Sequence, residues 1–282
     1  MKNLILVTGL VFLFLSCHQP GQEGHTMDSV VQKPVDSINA DSDNFVKSEA
    51  PDAGTKMGQG YCLSRHNNGM SQSPINILSF EADKYKSKNI QLRFNTQIVA
   101  VENLGHTIQV DFKDGSLCLA DGKNYMSKQF HFHTPSEHMI DGMTFPLEMH
   151  IVNILKDSGV KKQPSYLVVG ILFKMGKANK LFDEFLRDIP KEESEKDSLS
   201  TGTAKLNDLS PLMLNGLDGD SFYTYDGSLT TSPFSETVHW VVLKQIVEAS
   251  PDQIIAIEKM EGNNARHIQA IYDRKVASAR VE

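Results

Sequence analysis

The sequence is poor in cysteine, with three in 282 residues. That is too few to staple a chain of this size, so a disulfide scaffold is excluded. Basic charge is not in excess either: 28 Lys and Arg stand against 35 Asp and Glu, a net charge of −7. A general nucleic-acid binder would carry the opposite balance. Long apolar runs are also missing. Leu4–Leu15 is the longest, and it falls short of the roughly 20 residues that a spanning helix needs, which excludes a multi-pass membrane protein. What remains, with 40% hydrophobic and 22% charged residues, is a mildly acidic globular composition.

The front of the chain is a separate matter. Lys2, the apolar stretch Leu4–Leu15 and the small residue Ser16 read as a secretory signal over residues 1–16. Phe14-Leu15-Ser16-Cys17 resembles a bacterial lipobox, with Phe14 where Leu is commoner. The resemblance implies that Cys17 becomes the diacylated first residue of an exported lipoprotein, anchored in a membrane and facing the periplasm or the cell surface; more than one acyl chain is what stable anchoring requires. Residues 17–56 follow as a tether rich in Ser, Asp, Gln, Gly and Pro, with seven acidic and three basic side chains after Cys17. Such a stretch has too little apolar surface to offset its ordering entropy.

Residues 57–282 read as one domain. Short apolar runs broken by Gly, Asn, Asp and Pro predict strands at Ile90–Phe94, Gln97–Glu102, Thr107–Phe112, Gln129–His133, Leu147–Ile154, Tyr166–Phe173 and Phe222–Tyr225. Helical periodicity predicts helices at Lys180–Leu186 and Ser235–Ala249, leaves Pro251–Lys259 ambiguous, and Lys191–Lys196 reads as a solvated loop. Strands dominate and no long helical crossovers separate them. The expected fold is mainly β (α+β), a single domain on a large, mostly antiparallel, twisted central sheet with short peripheral helices.

Ten histidines are present, and three stand in an informative arrangement. In Gln129-Phe130-His131-Phe132-His133, residues i and i+2 of a strand share a face, so both imidazoles project together while the phenylalanines pack behind. A returning strand, Leu147-Glu148-Met149-His150-Ile151-Val152, would bring His150 beside them. Three neutral imidazoles with a fourth position left open suit catalytic zinc. Glu137 and Glu148 are carboxylates available to orient the imidazoles from behind.

Ser136-Glu137-His138-Met139-Ile140, Phe145 and Glu148-Met149-His150-Ile151-Val152 together resemble the signature of the α-class carbonic anhydrases. Gln72-Ser73-Pro74-Ile75-Asn76-Ile77, Gly105-His106, Gln129–His133, Gly227-Ser228-Leu229-Thr230-Thr231 and Asn264-Ala265-Arg266 extend the resemblance over roughly residues 57–280 in family order. It implies an enzyme that reversibly hydrates CO2 to bicarbonate and a proton by a zinc-bound hydroxide. The implied zinc ligands are His131, His133 and His150, oriented by Gln129, by the backbone carbonyl of Asn264 and by Glu148 respectively. His138 is expected to be a buried structural histidine. The resemblance further implies that Thr230 orients the nucleophile and donates to Glu137, that Thr231 lines the anion site, and that Val152, Val168, Leu229 and Trp240 wall the CO2 site. His106 takes the place of the proton shuttle, with Asn103 and Gln109 along its path.

Departures from the family pattern are equally specific. Leu104 replaces an asparagine common in vertebrate members, and Trp240 is the chain's only tryptophan. Many secreted bacterial relatives join a cysteine before Gln-Ser-Pro to one after Leu-Thr-Thr-x-Pro; here the second position is Phe234, so that bridge cannot form. A Cys62–Cys118 bridge stays open, and Tyr61 is not to be taken for the family's proton-path tyrosine. Two rival readings are a non-catalytic carbonic-anhydrase-like binding module and a zinc hydrolase using the same histidines. The presence of all three ligands with Glu137, Thr230 and His106 favours the enzyme. Oligomeric state stays open.

Overall fold

A computed structural model describes residues 69–86, 92–120, 122–156, 165–193, 196–198 and 220–280, all within the compact unit Ala50–Glu282. The signal segment, Cys17, the tether, Tyr61 and Cys62 lie outside the described residues. Fourteen strands are described: β1 (Asn76–Ile77), β2 (Leu92–Asn95), β3 (Ile98–Asn103), β4 (Ile108–Phe112), β5 (Leu117–Ala120), β6 (Lys123–His133), β7 (Met139–Ile140), β8 (Leu147–Leu155), β9 (Tyr166–Met175), β10 (Lys196–Ser198), β11 (Asp220–Gly227), β12 (Val238–Leu243), β13 (Val247–Ala249) and β14 (Ala277–Arg280). Among the described residues helices are few and short: α1 (Ser79–Ala82), α2 (Lys180–Phe185), running into a 3-10 turn at Leu186–Asp188, and α3 (Pro251–Glu261).

Twelve strands form one sheet in the order β10-β3-β4-β6-β8-β9-β12-β11-β14, with β2, β5 and β13 attached beside that path. Neighbours run antiparallel except where β12 and β13 lie parallel to β9. The β-dominated, mostly antiparallel architecture expected from the sequence is therefore the one found. One sheet face carries a core of Phe130, Phe132, Met149 and Ile151 under Phe182 and Phe185 of α2. Phe132 stacks on Phe185 at 5.6 Å and meets Phe182 edge-on at 5.4 Å between ring centroids, offset geometries that add to area burial. The opposite face carries Ile75, Val168, Tyr225, Val242 and Trp240. Cys118 is a free thiol buried in the first core, where burial pushes its pKa up to about 12.

Two local expectations need correction, and one reading left open is settled. Ser235–Ala249 is not a helix but contains β12 and β13. β12 is buried on both faces in mid-sheet, so its Val-His-Trp-Val-Val-Leu run lacks the two-residue alternation that marks a half-exposed strand. Pro251–Lys259 is helical: the Ser250 hydroxyl accepts from the Gln253 amide, the Gln253 side chain accepts from the Ser250 amide, and proline fills the first turn, a capping box. The Lys191–Lys196 stretch is not all loop, since Lys196 begins β10, which pairs with β3.

The feature that aims the site is a bulge in β6. Ser127 pairs with Asn153 but Gln129 pairs with Val152, so Lys128 is an extra residue with no partner on β8. Without it, strict alternation would put His131 and His133 on the face of Tyr125 and Ser127, which looks into the first core. With it, Phe130 and Phe132 take that face and the histidines turn to the other, a re-aiming that bulges commonly perform. Both phenylalanines are fully buried, and each is worth about 1.5–3 kcal/mol on burial, so the register is firmly held. Deleting Lys128 should abolish the zinc binding that the family resemblance implies, read by metal analysis of the purified protein, whereas Lys128→Ala, which keeps the count, should bind a full equivalent; stoichiometric zinc in the deletion would refute the role of the bulge.

Candidate metal centre

The β6–β8 register sets His131 opposite His150 and His133 opposite Glu148. Ring centroids are 5.1 Å apart for His131–His133, 5.4 Å for His131–His150 and 4.5 Å for His133–His150. One nitrogen from each ring lies within 4.8 Å of the other two. Burial pushes the His131 pKa down to about 3, and the neighbouring His150 adds to the shift; burial and the same neighbour hold His133 well below the ordinary range. These imidazoles are neutral at pH 7, the state in which imidazole binds a metal.

Hydrogen bonds decide which nitrogen each ring offers. Nδ1–H of His131 donates to Gln129 Oε1 at 2.9 Å, leaving Nε2 free. Nε2–H of His150 donates to Glu148 Oε1 at 2.9 Å, leaving Nδ1. His133 is buried with neither ring nitrogen in a hydrogen bond, although the Asn264 backbone bears on it and the Glu137 carboxylate lies 3.5 Å from its Nδ1. An unsatisfied buried polar atom costs about 1–3 kcal/mol, which a bound cation would relieve. The donor set of three imidazole nitrogens, with no fourth protein donor among the described residues, fits zinc with one open position.

A second grouping of His138, Glu148 and His150 is already satisfied without a metal. Glu148 Oε2 accepts the backbone N–H groups of Glu137 and His138 at 2.9 and 2.8 Å, and Oε1 accepts from His138 Nδ1 at 2.7 Å as well as from His150. The other ring nitrogen of His138 is 2.7 Å from the Tyr225 hydroxyl, so His138 has none to give. Burial alone would raise the pKa of Glu148, but the imidazoles of His138 and His150 outweigh it and hold the carboxyl well below the usual range.

Glu137 is the opposite case. Burial pushes its pKa up to about 8, against the Arg266 backbone N–H donating to its Oε1 at 2.9 Å and against the Thr230 hydroxyl. A divalent cation held by the three imidazoles would draw it back toward ionisation. Its Oε2 lies 3.9 Å from His150 Nδ1. Thr230 is buried, while Thr231, one residue on, is exposed. Val168 and Trp240 are buried in the second core with Val152 and Leu229 packed partly buried against it, and the Trp240 ring lies 4.8 Å from that of His150. His106 stands exposed with Nδ1–H on the Leu104 carbonyl at 2.8 Å, so Nε2 is its free nitrogen.

Other expected residues are occupied structurally. Asn103 is buried, its amide donating to the Pro190 and Lys191 carbonyls and its oxygen accepting from the Gly105 amide. Gln109 donates to Asp111 at 2.9 Å. The Asn264 side chain ties three backbone groups together, donating to the His106 and Phe132 carbonyls and accepting from the Thr134 amide. Sequence reasoning gave no role to Arg266 beyond its motif, nor one to Glu261. The Arg266 guanidinium donates to the Ser73 carbonyl at 2.6 Å and to Gln72 Oε1, and covers the Phe234 ring at 4.0 Å. Phe234, at the position of the absent cysteine, thus joins the two segments without a covalent bond. Partners so far apart in the chain leave no local pattern to read.

A family model described as eukaryotic-type carbonic anhydrase matches residues 60–280. The chain belongs to the carbonic anhydrase family. It is 36% identical over 213 residues to a carbonic anhydrase of Neisseria gonorrhoeae, covering 74% of this chain and 77% of that one. It is also 36% identical to a carbonic anhydrase of Pectobacterium carotovorum, over 73% of this chain and 79% of the relative. Among solved structures, an α-carbonic anhydrase from Thermovibrio ammonificans in complex with the inhibitor sulfanilamide superposes with a TM-score of 0.65 at 35% identity, over 74% of this chain and 87% of that one. The family is a lyase family, and this carbonic anhydrase is an enzyme of it. Replacing His131, His133 or His150 by Ala should each lower zinc content sharply after dialysis against a weak chelator, because two imidazoles do not complete the site; a variant that retains a full equivalent would remove that histidine from the ligand set.

Proposed function

We propose that this carbonic anhydrase hydrates CO2 reversibly with one zinc ion held by His131, His133 and His150. The observation that carries the reading is the convergence of Nε2 of His131, Nδ1 of His150 and the ring of His133, whose nitrogens lack a hydrogen bond. Zinc in such a site supplies a water whose pKa falls to about 7, a value for which carbonic anhydrase is itself the reference example.

The chain's own residues do the rest. Gln129 and Glu148 fix the tautomers of His131 and His150 and, as hydrogen-bond acceptors, raise their basicity. The Thr230 hydroxyl bears on Glu137; donating its proton there leaves a lone pair to accept one from the attacking oxygen, which turns the nucleophile's own lone pair toward carbon. Val152, Val168, Leu229 and Trp240 form the apolar wall that suits a small molecule without a dipole, and Thr231 borders the anion that leaves. His106 carries the proton outward through its free Nε2, since an imidazole can accept a proton on one ring nitrogen and release it to solvent. A non-catalytic binding module is the weaker reading, because nothing in the ligand set is missing.

Stopped-flow CO2 hydration by the zinc-loaded full chain should be strong and should vanish with a chelator. Thr230→Ala should keep its zinc and lose on the order of 10²-fold in kcat/KM, the usual loss for one positioned hydrogen bond in a transition state; a fully loaded Thr230→Ala enzyme at wild-type rate would refute the orienting role.

The export signal and lipobox support a protein anchored to a membrane through Cys17, with the catalytic domain at the end of an acidic tether. In cells fed labelled palmitate, label should follow the wild type and be absent from Cys17→Ser. Label that persists in that variant would contradict the anchor.

A further inference from the structure

Glu261 is a buried carboxyl that the reaction described above does not use. It ends α3 and is 2% exposed. Its Oε2 lies 3.4 Å from Thr107 Oγ1 and 3.4 Å from the Ile108 amide nitrogen, and its Oε1 lies 3.2 Å from Thr134 Oγ1. Each hydroxyl has one proton, and each has a shorter bond for it. Thr107 donates to the Phe132 carbonyl at 2.8 Å, and Thr134 donates to the Gly262 carbonyl at 2.6 Å. Both hydroxyls therefore turn lone pairs toward Glu261. A carboxylate in this place would face two lone pairs and the negative end of its own helix, with one long amide bond in its favour. A carboxylic acid has a proton to donate to Thr134. Burial works in the same direction and is the largest cause: it pushes the Glu261 pKa up to about 8, against the bond from the Ile108 amide.

The partners of Glu261 are neighbours of functional residues. Thr107 follows His106, and Thr134 follows His133. Asn264, three residues beyond Glu261, donates to the His106 carbonyl at 2.7 Å, and its backbone N–H donates to the Thr134 carbonyl at 3.2 Å. The titratable and charged groups on the surrounding segments are His106 before β4, Asp111 on β4, Lys123, Lys128, His131 and His133 on β6, Arg187 and Asp188 on the 3-10 turn, Asp252, Glu258 and Lys259 on α3, and Arg266 after it. None of these charges contributes to the shift at Glu261.

We infer that Glu261 is a positioning residue: as a neutral acid it holds the His106 turn and the end of the ligand strand together, and its ionisation loosens that turn and slows proton export. The inference rests on His106 acting as the proton relay. The linkage has a definite sign. A carboxyl whose folded pKa lies above its unfolded value stabilises the fold fully below about 4.5, and that stability is lost as pH rises through about 8.

The test is CO2 hydration by the zinc-loaded full chain in dilute buffer from pH 6 to 9.5, with Glu261→Gln and, should that variant fold poorly, Glu261→Met, which is neutral and apolar. Wild-type kcat should rise as the nucleophile forms and then fall on the order of threefold by pH 9, where about nine-tenths of Glu261 is ionised. Either variant should lose the alkaline fall, while kcat/KM for CO2 follows one profile in all three proteins. The wild-type thermal midpoint should drop between pH 6 and pH 9 more than that of either variant. His106→Ala separates the two claims. Turnover at the wild-type rate in that variant would reject the relay alone, because the alkaline drop in thermal midpoint would still report Glu261. Identical alkaline profiles and identical midpoint shifts in wild type and both variants would overturn the inference.

Discussion

The pairing of β6 with β8, offset by one bulged residue, is the constraint on which the rest of the site depends. The two strands contribute all three histidines and both residues that fix their tautomers, Gln129 and Glu148. Their other faces contribute Phe130, Phe132, Met149 and Ile151 to the core. The same pairing is therefore held by apolar burial on one side and used for chemistry on the other. A slip by one residue would exchange the two faces, taking four large side chains out of the core. Precision at the site is thus secured by packing that has no contact with substrate.

Two buried carboxylates that both lie within a few ångströms of His150 are kept in different states by their partners. Glu148 receives four donors, two from backbone amides and two from imidazoles, and is held ionised. Glu137 receives one backbone donor with one oxygen lacking a hydrogen bond, so burial dominates and its proton is retained more tightly. Difference in hydrogen-bond supply, not in chemical type, assigns one to structure and leaves the other responsive to a cation and to Thr230.

Much of this was legible in the chain. The alternation of Phe and His over residues 130–133 announced a strand with a core face and a polar face, and the motifs around Glu137, Glu148 and Thr230 carried the family resemblance. The bulge at Lys128 was not legible, because a single unpaired residue exists only relative to its partner strand. β12 was misread because a strand buried on both faces has no alternation, whereas the Ser250-Gln253 box before the helix is a local signal that could have decided α3. The contacts of Arg266 with Gln72 and Ser73, and of Glu261 with Thr107 and Thr134, join residues more than a hundred positions apart. Only the folded sheet brings them together.

An open catalytic site requires three imidazole nitrogens that leave one position for solvent. X-ray absorption at the zinc edge of the loaded full chain measures this most directly. The expected first shell is three nitrogens, with imidazole outer-shell scattering, and one oxygen, all at about 2.0–2.1 Å. A shell containing sulfur, or four imidazoles with no oxygen, would contradict the assignment of His131, His133 and His150 as an open catalytic site.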